Sequence, residues 1–206
     1  MARSDPERFV VGLGNPGARY RMTRHNIGFQ VAARLIDRHR LPSGTKRFLG
    51  RYVAGRIAGV SVGILTPETF MNASGRSVVA LLSAFPERTV SDLIVIHDDI
   101  DLPFGAVKVK TEGGHGGHNG LRSIIAETGR NDFIRLRAGI GRPAHGSVTD
   151  FVLGTYDPEE RIVLPTYLDA LADVVEALLT EPVERVMNRF HGKNLALPHL
   201  SGERKA

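Results

Sequence analysis

The 206-residue chain has no cysteine. Disulfides, thiolate nucleophiles and cysteine-ligated zinc are therefore excluded, and a reducing compartment suits it. No apolar run approaches the ~18 residues that a membrane span requires. The opening stretch Met1–Arg8, MARSDPER, is charged and carries no apolar segment, so no secretory signal is visible and the cytoplasm is the expected location. There is no G-x-S-x-G elbow of the serine hydrolases. There is also no internal repeat, and no linker long enough to divide the chain. What is present is ordinary for a soluble protein: 42% hydrophobic and 24% charged residues, enough for one substantial core. A single domain is expected over residues 1–193. A polar tail, 194–206, is expected to be disordered.

The net charge is +5, with 22 arginines against 5 lysines. A basic chain favours acidic partners, nucleic acid first. Arginine-heavy usage with much alanine and glycine also follows from coding bias, so charge alone leaves this open. Its distribution says more. Asp157–Glu184 holds eight acidic residues and one basic one, Arg161, a face expected to repel phosphates. Positive charge gathers instead at Arg19/Arg21/Arg24, Lys46/Arg47/Arg51/Arg56, Lys108/Lys110 and Arg135/Arg137/Arg142.

Hydrophobic periodicity predicts a buried strand at Phe9–Leu13, a helix over residues 24–40 and a hairpin of 48–57 with 60–65 turning at Ala58-Gly59. It then predicts a helix over 74–85, strands at 92–96, 106–110 and 133–140, and a short helix from Asn119. A helix at 159–179 should present Ile162, Leu168, Leu171, Val174, Val175 and Leu178 inward. Pro165 should kink or split it. A last helix spans 183–190. Strands alternating with helices, plus one hairpin, indicate an α/β domain with a twisted mixed sheet flanked by helices.

Gly12, Gly14 and Gly17 match G-x-G-x-x-G, but the dinucleotide reading fails. A true fingerprint opens a helix directly on its glycines and has an acidic residue at a strand end ~20 positions on. Here Asn15-Pro16-Gly17 is a turn, helical pattern begins only near Arg24, and Asp37 lies inside that helix. What the segment brings together is an asparagine in a tight turn, Asn15, and a histidine at a helix start, His25.

Asp98 follows a buried strand, and sites in α/β sheets form at the carboxyl ends of strands. A His25–Asp98 pair there would make a general base, the carboxylate fixing the imidazole tautomer and stabilising its protonated form. Ser74 reads as a helix cap rather than a nucleophile, so the nucleophile is water. Asn15, Asn72 and Asn119 can orient that water, hold an amide or donate to an oxyanion, although each also suits a turn or helix start. His97, Asp98, Asp99, Asp101, His115 and His118 could ligate a metal. The two loop histidines lack the rigid helix of an H-E-x-x-H site, however, and no metal or other cofactor is expected. Gly113–Gly117 could cradle a phosphate or simply be mobile.

Together these motifs resemble bacterial-type peptidyl-tRNA hydrolase. The matching stretches are Gly12–Gly17 (GLGNPG) with Tyr20, Thr23–Asn26 (TRHN) and Gly28-Phe29; Thr69–Asn72 (TFMN) with Ser74-Gly75; His97–Asp99 with Asp101–Gly105 (DLPFG); Gly113–Ile124 (GGHGGHNGLRSI); and Phe133, Arg135–Arg137 and Gly139–Pro143 (GIGRP). This chain departs at Thr66, where the family often has lysine, and in a segment after Pro143 that looks shorter. The resemblance implies a monomeric α/β enzyme needing no protein partner. It would cleave the ester between a peptide and the 3′-terminal ribose of tRNA, recycling the tRNA for translation. It implies that His25 is the base, Asp98 its partner, and Asn15, Asn72 and Asn119 the positioning asparagines. Tyr20, Met71 and His118 would line the pocket, and Lys110 and Arg137 would bind the tRNA 5′-phosphate. Without it, the residues indicate a water-using His–Asp hydrolase. An oxidoreductase with a nucleotide cofactor and a non-catalytic RNA-binding protein are the rivals from other classes.

Overall fold

A computed structural model describes residues 5–197. Five elements open the chain: β1 (Arg8–Gly12), α1 (Ile27–Arg38), β2 (Thr45–Arg47), β3 (Gly50–Ile57) and β4 (Val60–Pro67). Then come α2 (Ser74–Ser83), β5 (Leu93–Asp99), β6 (Val107–Lys110), α3 (Asn119–Thr128), β7 (Ile134–Gly139), α4 (Val148–Leu153), α5 (Pro158–Thr180) and α6 (Val183–Phe190). The strands form one seven-stranded mixed sheet in the order β2-β3-β4-β1-β5-β7-β6. The central four, β4-β1-β5-β7, run parallel. The hairpin side and β6 are antiparallel. The expected α/β class with a mixed sheet holds.

The pleat divides the core. Val10, Ile64, Ile94 and Ile96 pack with α1 and α5, through Ile27, Val31, Leu35 and Leu171. Phe9, Val11, Leu65 and Val95 face the other way, against Val78 and Leu81 of α2 and Leu121 and Ile124 of α3. Strands buried on both faces read as continuous apolar runs, which is why β1 and β5 are plain in the sequence. The hairpin turns where expected, with positive φ at both Ala58 and Gly59.

Several expectations are corrected. Pro165 does not split the helix: α5 continues through it. Ile162 points out, 78% exposed, while Leu171, Val174, Val175 and Leu178 are buried as predicted. Ser74 is the first residue of α2 rather than its cap, and its buried hydroxyl donates to the Met71 carbonyl at 2.9 Å. β2 and α4 had no clear periodic signal, being only three and six residues long. The boundary of the tail also moves. Leu195 and Ala196 are buried, and the Leu195 N–H donates to the Gly105 carbonyl, so the chain stays docked against the β6 edge through residue 196. Leu197 is exposed, and residues 198–206 of the tail lie outside the described residues.

The acidic helix is not a bare face. Asp157 and Glu160 pair with Arg24, Asp169 with Arg34 and Arg38, and Asp173 and Glu176 with Arg38. Arg24, grouped in the sequence with surface charge, is buried. The Lys46/Arg47/Arg51/Arg56 group sits on β2 and β3, the sheet edge farthest from β6.

Candidate active site

The glycines of the first motif bring a helix onto a strand. A Cβ on Gly12 would lie 2.3 Å from the Gly28 carbonyl oxygen, and one on Gly28 would lie 2.4 Å from the Leu13 nitrogen. The start of α1 therefore rests on the end of β1 with no room for a side chain. That contact seats the 3-10 turn Arg24–Asn26 over the carboxyl ends of the parallel strands. Asn26, buried, locks the preceding loop: its Oδ1 accepts from the Asn15 N–H and its Nδ2 donates to the Asn15 carbonyl, both at 2.9 Å. Asp37 is exposed near the end of α1, far along the helix from these glycines.

All ten residues singled out in the sequence, Lys110 and Arg137 included, line one cavity of about 930 Å³. At its floor Asp98, at the end of β5, is buried. Its Oδ1 lies 2.8 Å from His25 Nδ1 and 3.0 Å from His118 Nε2. His118 also caps α3, its Nδ1 accepting from the N–H groups of Gly120 and Leu121 at 3.1 and 3.3 Å. With Nδ1 an acceptor, the His118 proton is on Nε2, donated to Asp98. His25 likewise donates from Nδ1, which leaves its Nε2 as the basic nitrogen.

Electrostatics follow from this arrangement. Burial opposes charge on His25, but the Asp98 charge and hydrogen bond outweigh it and raise the imidazole above its usual 6.5. Burial pushes the Asp98 carboxyl up, yet His25 and His118 together hold it well below the usual carboxylate range. His97, next in the chain, is neutral. Burial and then His118 push it down to about 3, and its Nδ1–H donates to the Asp98 carbonyl at 2.7 Å.

The asparagines differ in how they are held. Asn15 is buried, with its Oδ1 accepting from the Met71 N–H at 2.8 Å, so its amide N–H₂ is left for the cavity. Asn119 is exposed at the first turn of α3, and its Oδ1 accepts from Arg122 Nη1 at 2.9 Å, which again frees its N–H₂. Asn72 is exposed in the 3-10 turn Met71–Ala73. Tyr20 sits half-buried in its own 3-10 turn beneath the Arg19 guanidinium. Phe70, Leu121, Val148, Val152 and Leu153 give the cavity an apolar wall. Lys110 is exposed at the end of β6, and Arg137 Nε pairs with Asp99 Oδ2 at 2.5 Å.

His25, Asp98 and His118 offer three possible ligand atoms within 4.8 Å of one another. They do not fit a metal. His118 Nε2 would have to be bare, while two backbone donors at Nδ1 require that Nε2 keep the proton.

A protein-family model described as peptidyl-tRNA hydrolase matches residues 9–197. The chain belongs to the peptidyl-tRNA hydrolase family. It is 50% identical over 188 residues to a peptidyl-tRNA hydrolase of Geotalea uraniireducens, covering 91% of this chain and 98% of that one. The corresponding protein of Geotalea daltonii is 47% identical over the same shares. Among solved structures, peptidyl-tRNA hydrolase from Acinetobacter baumannii superposes with a TM-score of 0.81 at 37% identity, over 93% of this chain and 98% of that one. Membership of this hydrolase family, with Gly12 of β1 used for helix packing, removes the oxidoreductase reading.

Three residues around the cavity escaped the sequence reading. Asn26, which locks Asn15, was visible only as part of TRHN. Arg24 was counted as surface charge, although it stacks on Phe151 and pairs with Glu160 at 2.6 Å, tying the His25 turn to the start of α5. Arg135 is grouped in the sequence with Arg137 and Arg142 as gathered positive charge, yet it is 2% exposed.

Proposed function

We propose that this chain hydrolyses the ester joining a peptide to the 3′-terminal ribose of tRNA, with water activated by His25 and Asp98. Membership of the family supports the reaction. One observation carries the roles: a buried carboxylate oxygen accepting from two imidazoles at the floor of a cavity that three asparagines line.

His25 Nε2 takes a proton from water as the oxygen adds to the ester carbonyl. Asp98 stabilises the imidazolium that forms, and the His118 N–H holds the carboxylate in place. Negative charge grows on the carbonyl oxygen. The N–H₂ groups of Asn15 and Asn119, oriented by Met71 and Arg122, supply donors for it and for the substrate, while Asn72 orients the water. Collapse of the tetrahedral species breaks the bond to the ribose oxygen, which recovers the proton from His25. The products are a peptide carboxylate and tRNA free for translation. Tyr20, Met71 and His118 shape the pocket around the ester. Lys110 and Arg137 meet the tRNA 5′-phosphate at its β6–β7 margin. No cofactor enters this scheme. We infer a monomer that needs no protein partner and acts in the cytoplasm, where its tRNA substrate is used; that all ten residues line one cavity of a single chain supports the first part of this reading.

The test is His25→Ala assayed on an N-blocked aminoacyl-tRNA. Turnover should fall about 10²–10⁴-fold, the usual contribution of a general base. A folded variant with near-full turnover would exclude His25 as the base.

A further inference from the structure

Arg135 on β7 is among the most buried side chains of the molecule, 2% exposed, yet no carboxylate pairs with it among the described residues. Its fork is given entirely to backbone carbonyls. Nη2 donates to Gly113 at 2.6 Å and to Asn131 at 2.9 Å, and Nη1 to Gly114 at 3.4 Å. Nε has no partner, and the guanidinium lies 4.6 Å from the Phe133 ring centroid. Burial and the neighbouring Arg137 both disfavour its charge. A buried cation without a counter-ion is costly, so what it holds is informative.

It holds the glycine loop. That loop leaves β6 at Lys110 and ends at His118, whose Nε2 meets Asp98. Lys110 is the cross-strand partner of Arg135 and shares its sheet face. The fastening point is tight, because a Cβ on Gly113 would lie 2.8 Å from Lys110 Nζ and 3.3 Å from Arg135 Nη1. With φ of +120° at Gly113, +55° at Gly116 and +81° at Gly117, the loop's own backbone does little to hold one shape.

We infer that Arg135 is a positioning residue: by gripping Gly113 and Gly114 it fixes the separation between a phosphate held at Lys110 and the His118–Asp98 pair at the ester. This rests on the function proposed above. A lysine cannot replace it, because one ammonium cannot reproduce a planar fork onto carbonyls from two segments.

The experiment compares wild type with Arg135→Lys on N-blocked aminoacyl-tRNA with and without its 5′-phosphate, well below the melting temperature of either protein. In wild type, removing the phosphate should raise KM. In Arg135→Lys, KM for the phosphorylated substrate should rise about 10-fold and its dependence on the phosphate should shrink towards none. Turnover should fall by up to about 10²-fold, the scale of an ångström-sized misplacement. A purely structural role would lower Tm and leave KM, turnover and the phosphate response of the folded protein at wild-type values. That result overturns the inference. If Arg135→Lys does not fold, Gly113→Ala perturbs the same grip from the loop side and carries the same expectation, and wild-type values there overturn it equally. A wild type that cleaves the ester but ignores the 5′-phosphate refutes the clamp and this inference with it. A responsive wild type beside an unchanged variant refutes this inference alone.

Discussion

Replacing Asp98 by Asn removes one charge and almost no volume from the floor of the cavity. The amide oxygen can still accept from His25 and His118, so the architecture should survive. What is lost is the attraction between a carboxylate and the imidazolium that forms during water attack. With His25 Nδ1 2.8 Å from Oδ1, the charge centres lie roughly 4 Å apart, and at an effective dielectric of about 20 the attraction is about 4 kcal/mol. At 1.36 kcal/mol per factor of ten this corresponds to about 10³ in turnover. The neutral hydrogen bond that remains recovers about 1 kcal/mol, so a loss of about 10²–10³ is expected. A second readout is independent of rate. Burial pulls the His25 imidazole down and Asp98 lifts it above 6.5. Without the carboxylate only the downward influence of burial is left. The acidic limb of the kcat/KM profile should therefore move from a midpoint above 6.5 to one below it, because the base must be unprotonated to act. Single-turnover cleavage of N-blocked aminoacyl-tRNA across this pH range, with folding checked by circular dichroism, measures both. Turnover within three-fold of wild type, or an unmoved acidic limb, would refute the pairing of Asp98 with the base.

Three further outcomes are expected. Exhaustive chelation of the free enzyme, with magnesium restored for the tRNA before assay, should leave activity intact; loss reversed by one divalent ion would make His25, Asp98 and His118 a metal site. Lys110→Ala with Arg137→Ala should raise KM and flatten its salt dependence, each lost phosphate contact reducing the log–log slope by roughly 0.7 to 0.9 while saturated turnover changes little; because Arg137 pairs with the nearly buried Asp99, the Arg137 change should also lower Tm. Gly12→Ala should destabilise the fold by several kcal/mol on the scale of overpacking and backbone displacement, because its Cβ would collide with the Gly28 carbonyl; a denaturant midpoint equal to wild type would mean that the helix yields freely there.

The elements legible in the sequence were those whose burial repeats with the period of their own backbone. β1 and β5 are apolar on both faces, α1 shows one apolar stripe, and the hairpin carries its turn residues, so local pattern and tertiary position agree. The short elements β2 and α4 hold too few residues for a period to appear, and Ile162 shows that an apolar residue at helical spacing need not find the core. The ordered motifs were also sufficient to name the family and the residues that line the candidate site. What they could not supply is convergence. His25 and Asp98 are 73 positions apart, and only the parallel order β1-β5-β7 and the glycine contact between β1 and α1 bring them within one hydrogen bond. The same holds for charge. Arg24 and Arg135 have the composition of surface arginines, and their burial follows from which carboxylates and carbonyls the fold places around them. Residue chemistry and local period are properties of the chain, whereas the partner of each polar group is a property of space, which is decided only when the sheet closes.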